Sequence, residues 1–212
     1  MENMIEMKHV QKAYRDNVLF TDLNLTVPKG DICGIVGANG IGKSVLLKML
    51  CGLVLPDAGE VVIDNVKLEK GRFPQDIGVI LDNAGFLPNE TGFKNLSIIA
   101  GVRKKVAKGE IEDAMRLVGL DPSSEVRVGK YSLGMKQRLA IAQALMEKPS
   151  LLILDEPLNA IDIETVEKFR QLFKQLSEQD KVTIVLTSHH RDDIVELCRT
   201  VYQIENKELL LV

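Results

Sequence analysis

Apolar and polar residues alternate with a period of two in "IEMKHVQKAY" and again in "NVLFTDLNLTV", which predicts two strands, each with one buried face. "PKGD" then turns the chain into the short apolar run "ICGIV", a core strand. A glycine loop follows, then a helix from about Lys43 to Cys51 closed by Gly52, a turn at "PDAGE", a strand at "VVID" and the apolar run "IGVIL". From Gly85 to Lys148 the spacing becomes helical, in "FKNLSIIAGVRKKVA", "EIEDAMRLVGL" and "LGMKQRLAIAQALMEK", with no strand pattern between them. Strand and helix alternation then resumes with "SLLILDE", a helix from about Asp162 to Gln179, the strand "KVTIVLTS", a helix around "RDDIVELC" and a strand pair in "RTVYQIENKELLLV" broken at Asn206 and Lys207. The pattern predicts an α/β fold: a mostly parallel sheet covered on both faces, an antiparallel β subdomain ahead of it, and a helical insertion at about 85–148 within a single domain, 1–212.

With 45% hydrophobic residues in 212, the chain has enough apolar material for a sizeable core. Its 27 Lys and Arg against 30 Asp and Glu give a formal charge of -3, which speaks against a nucleic-acid partner held by phosphate attraction. Cys33, Cys51 and Cys198 are far apart and lack C-x-x-C or Cys/His ligand spacing, so they read as small buried hydrophobes in a reducing compartment. The start "MENMIEMKHV" lacks signal-peptide character, and no apolar run approaches the roughly 20 residues that span a bilayer. Any membrane role is expected to be peripheral.

Two segments carry chemistry. "GANGIGKS", Gly37 to Ser44, follows an apolar strand and opens a helix, the context that the G-x-x-x-x-G-K-[ST] pattern requires. In such a P-loop the N–H groups from Gly37, Ala38, Asn39, Gly40, Ile41 and Gly42 through to Val45 curl around the phosphates of ATP, Lys43 reaches the outer ones, and the Ser44 hydroxyl binds Mg²⁺. "LLILDEP" supplies a buried strand ending in two carboxylates whose side chains point to opposite sides, giving Asp155 to the metal shell and Glu156 to the attacking water. In "YSLGMKQR", Ser132 reads as an N-cap and Gly134 leaves the backbone open, which makes a second anion-binding helix start.

The order of P-loop, helical insertion, "YSLGMKQR" and "LLILDEP" resembles the nucleotide-binding domain of ATP-binding cassette (ABC) proteins over essentially the full chain, a P-loop NTPase fold. That family's signature is LSGGQ; Tyr131, Leu133 and Met135 depart from it, while Ser132 and Gly134 are retained. The variant is similar to that of bacitracin, lantibiotic and multidrug exporter ATPases. The resemblance implies a head-to-tail dimer, as a homodimer or with another ABC domain, in which Ser132 and Gly134 contact the γ-phosphate of the partner's ATP. It also implies adenine stacking by Tyr14, beside a reading of Tyr14 as sheet surface, and a γ-phosphate contact by His189 in "LTSHH". His190 stays unassigned.

By the same resemblance Asp162 in "LNAID" crosses the dimer interface, beside its reading as a helix N-cap. Asp82 in "IGVILDN" takes the position of a metal-linking Gln or Glu; one methylene shorter, it favours a bridging water over direct Mg²⁺ contact, beside a reading as a turn residue. "FLPNETGFKNL" lines the groove for a cytoplasmic helix of a membrane permease, or else Phe86, Leu87 and Phe93 are core. Arg103, Lys104, Lys105 and Lys108 read as a solvated face rather than a lipid-facing one. The function implied is ATP hydrolysis that drives a separate permease, with an exporter favoured and the chain cytoplasmic at the inner face of the membrane. The alternatives are a regulatory ABC-type ATPase with a cytosolic partner and a small-molecule kinase.

Overall fold

The computed structural model describes residues 2–15, 17–81 and 85–212. The chain opens with two long strands, β1 (Asn3–Tyr14) and β2 (Asn17–Pro28), paired antiparallel, and enters the core as β3 (Ile32–Val36). Helix α1 (Lys43–Leu50) leads to β4 (Ala58–Ile63), the two-residue β5 (Val66–Lys67) and β6 (Ile77–Ile80). Three helices follow, α2 (Gly92–Arg103), α3 (Lys108–Leu117) and α4 (Leu133–Leu145). The chain returns as β7 (Leu151–Leu154), α5 (Ile163–Glu178), β8 (Thr183–Thr187), α6 (Arg191–Leu197), β9 (Thr200–Glu205) and β10 (Glu208–Leu211).

Among the described residues the strands form one sheet in the order β5-β4-β1-β2-β10-β9-β3-β8-β7-β6. Strands β9, β3, β8, β7 and β6 run parallel, and β5, β4, β1 and β2 form the antiparallel wing. Among the described residues, strand pairing joins the wing to the parallel strands through the β9–β10 hairpin, whose Glu208 pairs with Asp22 of β2. Asn206 and Lys207 both sit at positive φ, 50° and 67°, the geometry of a two-residue hairpin turn.

Period-two burial divides the core between the two faces. Leu152, Leu154, Ile184 and Leu186 join Leu139, Ile141, Phe169 and Phe173 on the face covered by α4 and α5. Leu151, Ile153, Cys33 and Ile35 join Leu46, Leu47 and Leu50 of α1 on the other. Parallel strands covered this way deliver their C-terminal ends to one edge, where binding loops collect.

Two local expectations are corrected. "PDAGE" is a turn only to Asp57; β4 begins at Ala58, because Gly59 at φ 81° lies against His9 where β1 bulges between Lys8 and Gln11. The helical reading of "FKNLSIIAGVRKKVA" ends at Arg103, where Lys104 adopts the left-handed cap conformation (φ 54°). The two-residue β5 was too short to leave a period. The reading of Asp82 lies outside the described residues.

Candidate functional site

Strand β3 ends at Val36, and the glycine loop carries the chain around to α1. Gly42 is the left-handed cap before that helix (φ 117°), and a Cβ there would stand 2.6 Å from the ring of Phe20, so position 42 requires glycine twice over. Lys43, 8% exposed, donates from Nζ to the carbonyls of Gly37 (2.7 Å) and Ala38 (3.2 Å). Ser44 Oγ donates to Asp155 Oδ2 at 2.6 Å, which joins the start of α1 to the end of β7.

Just past β7 the two adjacent acids separate. Asp155 faces Ser44, while Glu156, in the left-handed region at φ 49°, turns its carboxylate toward the end of β8. There the His189 N–H donates to Glu156 Oε2 (3.1 Å) and the His189 ring Nε2 lies 3.1 Å from Oε1. Oε1 is buried and takes no hydrogen bond from the described residues.

These groups line a cleft of about 700 Å³. It brings together Asn39, Gly40, Gly42, Lys43, Ser44 and Val45 with Asp155, Glu156 and His189. Tyr14, Gly37, Ala38, Ile41, Ser132, Gly134 and Asp162 do not line it. Tyr14 is exposed at the end of β1, with Lys12 Nζ 5.1 Å from its ring centroid. Ser132 caps α4 by accepting from Met135 N, and Asp162 caps α5 by accepting from Thr165 N. The Thr165 N–H holds the Asp162 carboxyl below the usual carboxylate range.

Sequence reasoning missed four lining residues, Leu133, Gln137, Asn159 and Ala160. Gln137 lies one helical turn into α4 and donates from Nε2 to the carbonyls of Glu156 (3.1 Å) and Pro157 (2.9 Å). Helical spacing puts it on the face of Leu133, four residues back, but does not name its partners. Thr187, at the end of β8, was also passed over, because a Thr ending an apolar strand carries no pattern of its own.

Tyr131 departs from the signature because it is core: it is 6% exposed, and a Cβ on Gly92 would stand 2.8 Å from its hydroxyl. Burial raises its pKa. Phe86 and Phe93 both pack against the core, and only Phe86 joins Leu53, Leu81, Leu87 and Ile98 along a separate apolar groove of about 570 Å³. Phe93 packs against the core without lining that groove. In the basic cluster, Arg103 pairs with Glu147 and Lys108 with Glu112, in keeping with a solvated face. No helix among the described residues is long and apolar enough to cross a membrane.

The ABC transporter family model matches residues 20–159. The uncharacterized ABC transporter ATP-binding protein YybJ of Bacillus subtilis (strain 168) is 41% identical over 196 residues, 92% of this chain and 89% of that protein. The bacitracin transport ATP-binding protein BcrA of Enterococcus faecalis is 39% identical over 199 residues, covering 93% of this chain but only 65% of its own length. Among solved structures, a dimeric ATP-binding cassette in a post-hydrolysis state, bound to ADP and Pi, superposes with a TM-score of 0.88 at 26% identity, over 97% of this chain and 96% of that one. The chain belongs to the ABC transporter family, as an ATP-hydrolysing nucleotide-binding domain.

Proposed function

We propose that this domain energises an exporter whose permease is a separate membrane protein, working as a head-to-tail pair with a second copy or a related domain at the inner face of the membrane. The observation that carries the reading is the convergence of Lys43, Ser44, Asp155, Glu156 and His189, from three separate strand ends, on one cleft.

In this reading the N–H groups between Gly37 and Val45, those of Ala38, Asn39, Gly40 and Ile41 among them, hold the phosphates of ATP. Lys43 exchanges its contacts with the Gly37 and Ala38 carbonyls for phosphate oxygens. Tyr14 offers its exposed face to adenine. Ser44 Oγ and Asp155 Oδ2 are hard oxygen donors on one side of the cleft and suit Mg²⁺, which when bound would neutralise charge on the outer phosphates. Glu156, whose buried Oε1 lies 3.1 Å from His189 Nε2, takes a proton from the attacking water as the water oxygen bonds to the γ-phosphorus and the bond to the ADP oxygen breaks. His189 orients that carboxylate and the γ-phosphate.

Ser132 and Gly134 begin α4 beside Leu133, which is 64% exposed, and Ile163 after Asp162 is 89% exposed. A second domain closing over this face would cover both apolar side chains and bring Ser132 and Gly134 to its own nucleotide. The groove with Leu87 (49% exposed) and Ile98 (44%) would receive an apolar helix of the permease.

The test is affinity capture of the tagged protein from detergent-solubilised membranes of its host, with mass spectrometry of the co-purifying chains. The expected result is a multi-span membrane protein, lost with Leu87→Asp or Ile98→Asp. Capture of cytosolic chains alone, unaffected by either substitution, would overturn the reading in favour of a regulatory ATPase.

A further inference from the structure

Strand β8 is apolar through Ile184, Val185 and Leu186, and it ends in Thr187, which has no exposed surface. A buried hydroxyl has to be hydrogen-bonded, and this one is bonded twice. Thr187 Oγ1 donates to Asp155 Oδ1 at 2.6 Å and accepts from the Glu156 N–H at 3.0 Å. A single hydroxyl thus joins the two consecutive acids at the end of the neighbouring strand, one through its carboxylate and the other through its main chain.

We propose that Thr187 is a positioning residue for the hydrolytic site, setting the orientation of the Asp155 carboxylate and the turn that aims Glu156. The proposal rests on the reading of Asp155 as a metal-shell group. Asp155 has two donors among the described residues, Ser44 on Oδ2 and Thr187 on Oδ1. Ser44 Oγ is itself a proposed cation ligand and shifts with the cation, whereas Thr187 holds Oδ1 from a strand that gives the cation no ligand. On the other side, Glu156 holds a left-handed backbone conformation that a non-glycine residue rarely adopts, and Thr187 occupies the N–H of that residue. The register places it to do both: Leu154 of β7 pairs with Leu186 of β8, so Asp155, the residue just beyond β7, meets Thr187, the last residue of β8.

The site is therefore supported one layer out by β8, and removing that support is expected to weaken divalent-cation binding and turnover by about 10–100-fold while leaving the P-loop intact. The experiment compares Thr187→Val, which keeps the branched shape and deletes the hydroxyl, with Thr187→Ser, which keeps the hydroxyl. Mn²⁺ binding in the presence of ADP, followed by electron paramagnetic resonance, reads the cation site without turnover. A fluorescent ATP analogue in EDTA reads the P-loop, and ATP hydrolysis separates kcat from KM. The expected result is a loss of Mn²⁺ affinity and kcat in the valine protein, unchanged nucleotide affinity in EDTA, and recovery of Mn²⁺ binding and kcat in the serine protein. Wild-type Mn²⁺ affinity in the valine protein overturns the proposal. If the valine protein does not fold, Thr187→Ala replaces it against Thr187→Ser, a pair that differs by the hydroxyl alone, and equal Mn²⁺ affinities overturn the proposal. Asp155→Asn separates the two levels: if it leaves Mn²⁺ affinity unchanged, the metal reading itself has failed, whereas a loss there with none in the valine protein removes only the role of Thr187.

Discussion

The side-chain amide of Gln137 donates to the carbonyl of Pro157 at 2.9 Å, and the same nitrogen reaches the carbonyl of Glu156 at 3.1 Å. The helix that presents Ser132 and Gly134 is thereby tied to the main chain that carries the proposed catalytic base. Gln137→Met keeps the length of the side chain and removes both donors. The expected outcome is a kcat lowered by about tenfold, equivalent to about 1.4 kcal/mol, with KM for ATP unchanged, because the proposed nucleotide-binding loop is untouched while Glu156 loses its aim. Steady-state ATP hydrolysis measures it, and an unchanged kcat would show that the two bonds are packing only.

Gly134 makes a second tie between α4 and the same loop. A Cβ at Gly134 would stand 2.7 Å from the carbonyl oxygen of Ala160, a residue itself held at φ 61°. Gly101 in α2 offers the contrast, since a Cβ there meets nothing within 4 Å. Alanine in place of a helical glycine ordinarily stabilises by about 0.5–1 kcal/mol. Gly101→Ala should therefore raise the melting temperature, and Gly134→Ala should lower it by forcing the 156–160 loop away from the helix. Thermal unfolding of the two variants decides the matter, and a stabilised Gly134→Ala would mean that the close approach is not maintained.

Where a pattern depends on burial alone, the sequence was enough. Period-two alternation located β1 and β2, apolar runs located β3, β7 and β8, and "GANGIGKS" located the glycine loop that opens α1, because each is a local consequence of chain geometry. The order of strands in the sheet was not legible. Nothing in "NVLFTDLNLTV" says that β2 lies beside the last hairpin rather than beside β3, the next strand in the chain. Gln137 and Thr187 were missed for a related reason: each acts through a residue from another part of the chain, and neither the amide nor the hydroxyl announces its partner locally. Asp162 shows the converse limit, since its N-cap bond accounts for it without reference to a dimer.

Glu156→Gln tests the proposed division of labour between the two acids. The amide is nearly isosteric, so the contact with the His189 N–H can persist, but it cannot accept a proton from water. Loss of a positioned general base is expected to lower kcat by about 10²–10⁴-fold. Nucleotide binding should survive, so the protein should accumulate as a dimer when Mg²⁺ and ATP are supplied. Gel filtration with and without nucleotide reads this directly; a variant that binds ATP yet elutes as a monomer at saturation would argue against closure by ATP.

Stability on the far side of β8 depends on Arg170. Its Nη2 lies 2.7 Å from Asp193 Oδ1, and the two side chains are 14% and 4% exposed. Asp193 Oδ2 also accepts from Ser188 Oγ (2.7 Å), which in turn accepts from the His190 N–H (3.0 Å), so the ion pair supports the segment that carries His189. Arg170→Met leaves the Asp193 carboxylate buried without its cation, at an expected cost of about 3–5 kcal/mol. The double variant Arg170→Met with Asp193→Leu should recover part of that loss, since an apolar pair removes the stranded charge. Urea denaturation of the singles and the double gives the coupling directly.

The three thiols give the fold an alkaline weakness whose sign follows from their burial. Desolvation pushes both Cys51 and Cys198 up to about 12, and Cys33 higher still. In the unfolded chain a thiol titrates near about 8.5. Below that pH both states hold the proton and stability does not depend on it. Above it the unfolded chain releases protons that the folded protein retains, so stability falls as pH rises, continuing until the folded thiols themselves ionise. At pH 10 each of Cys51 and Cys198 is expected to withdraw about 2 kcal/mol of stability. The denaturation midpoint should therefore drop between pH 8 and pH 10, and Cys51→Ala combined with Cys198→Ala should flatten that slope, which separates the thiols from tyrosines titrating in the same range. The folded protein at pH 8 should alkylate about a thousandfold more slowly than a free thiol, since only the thiolate reacts. Rapid native-state labelling of either residue would show that the site opens to solvent more readily than its packing implies.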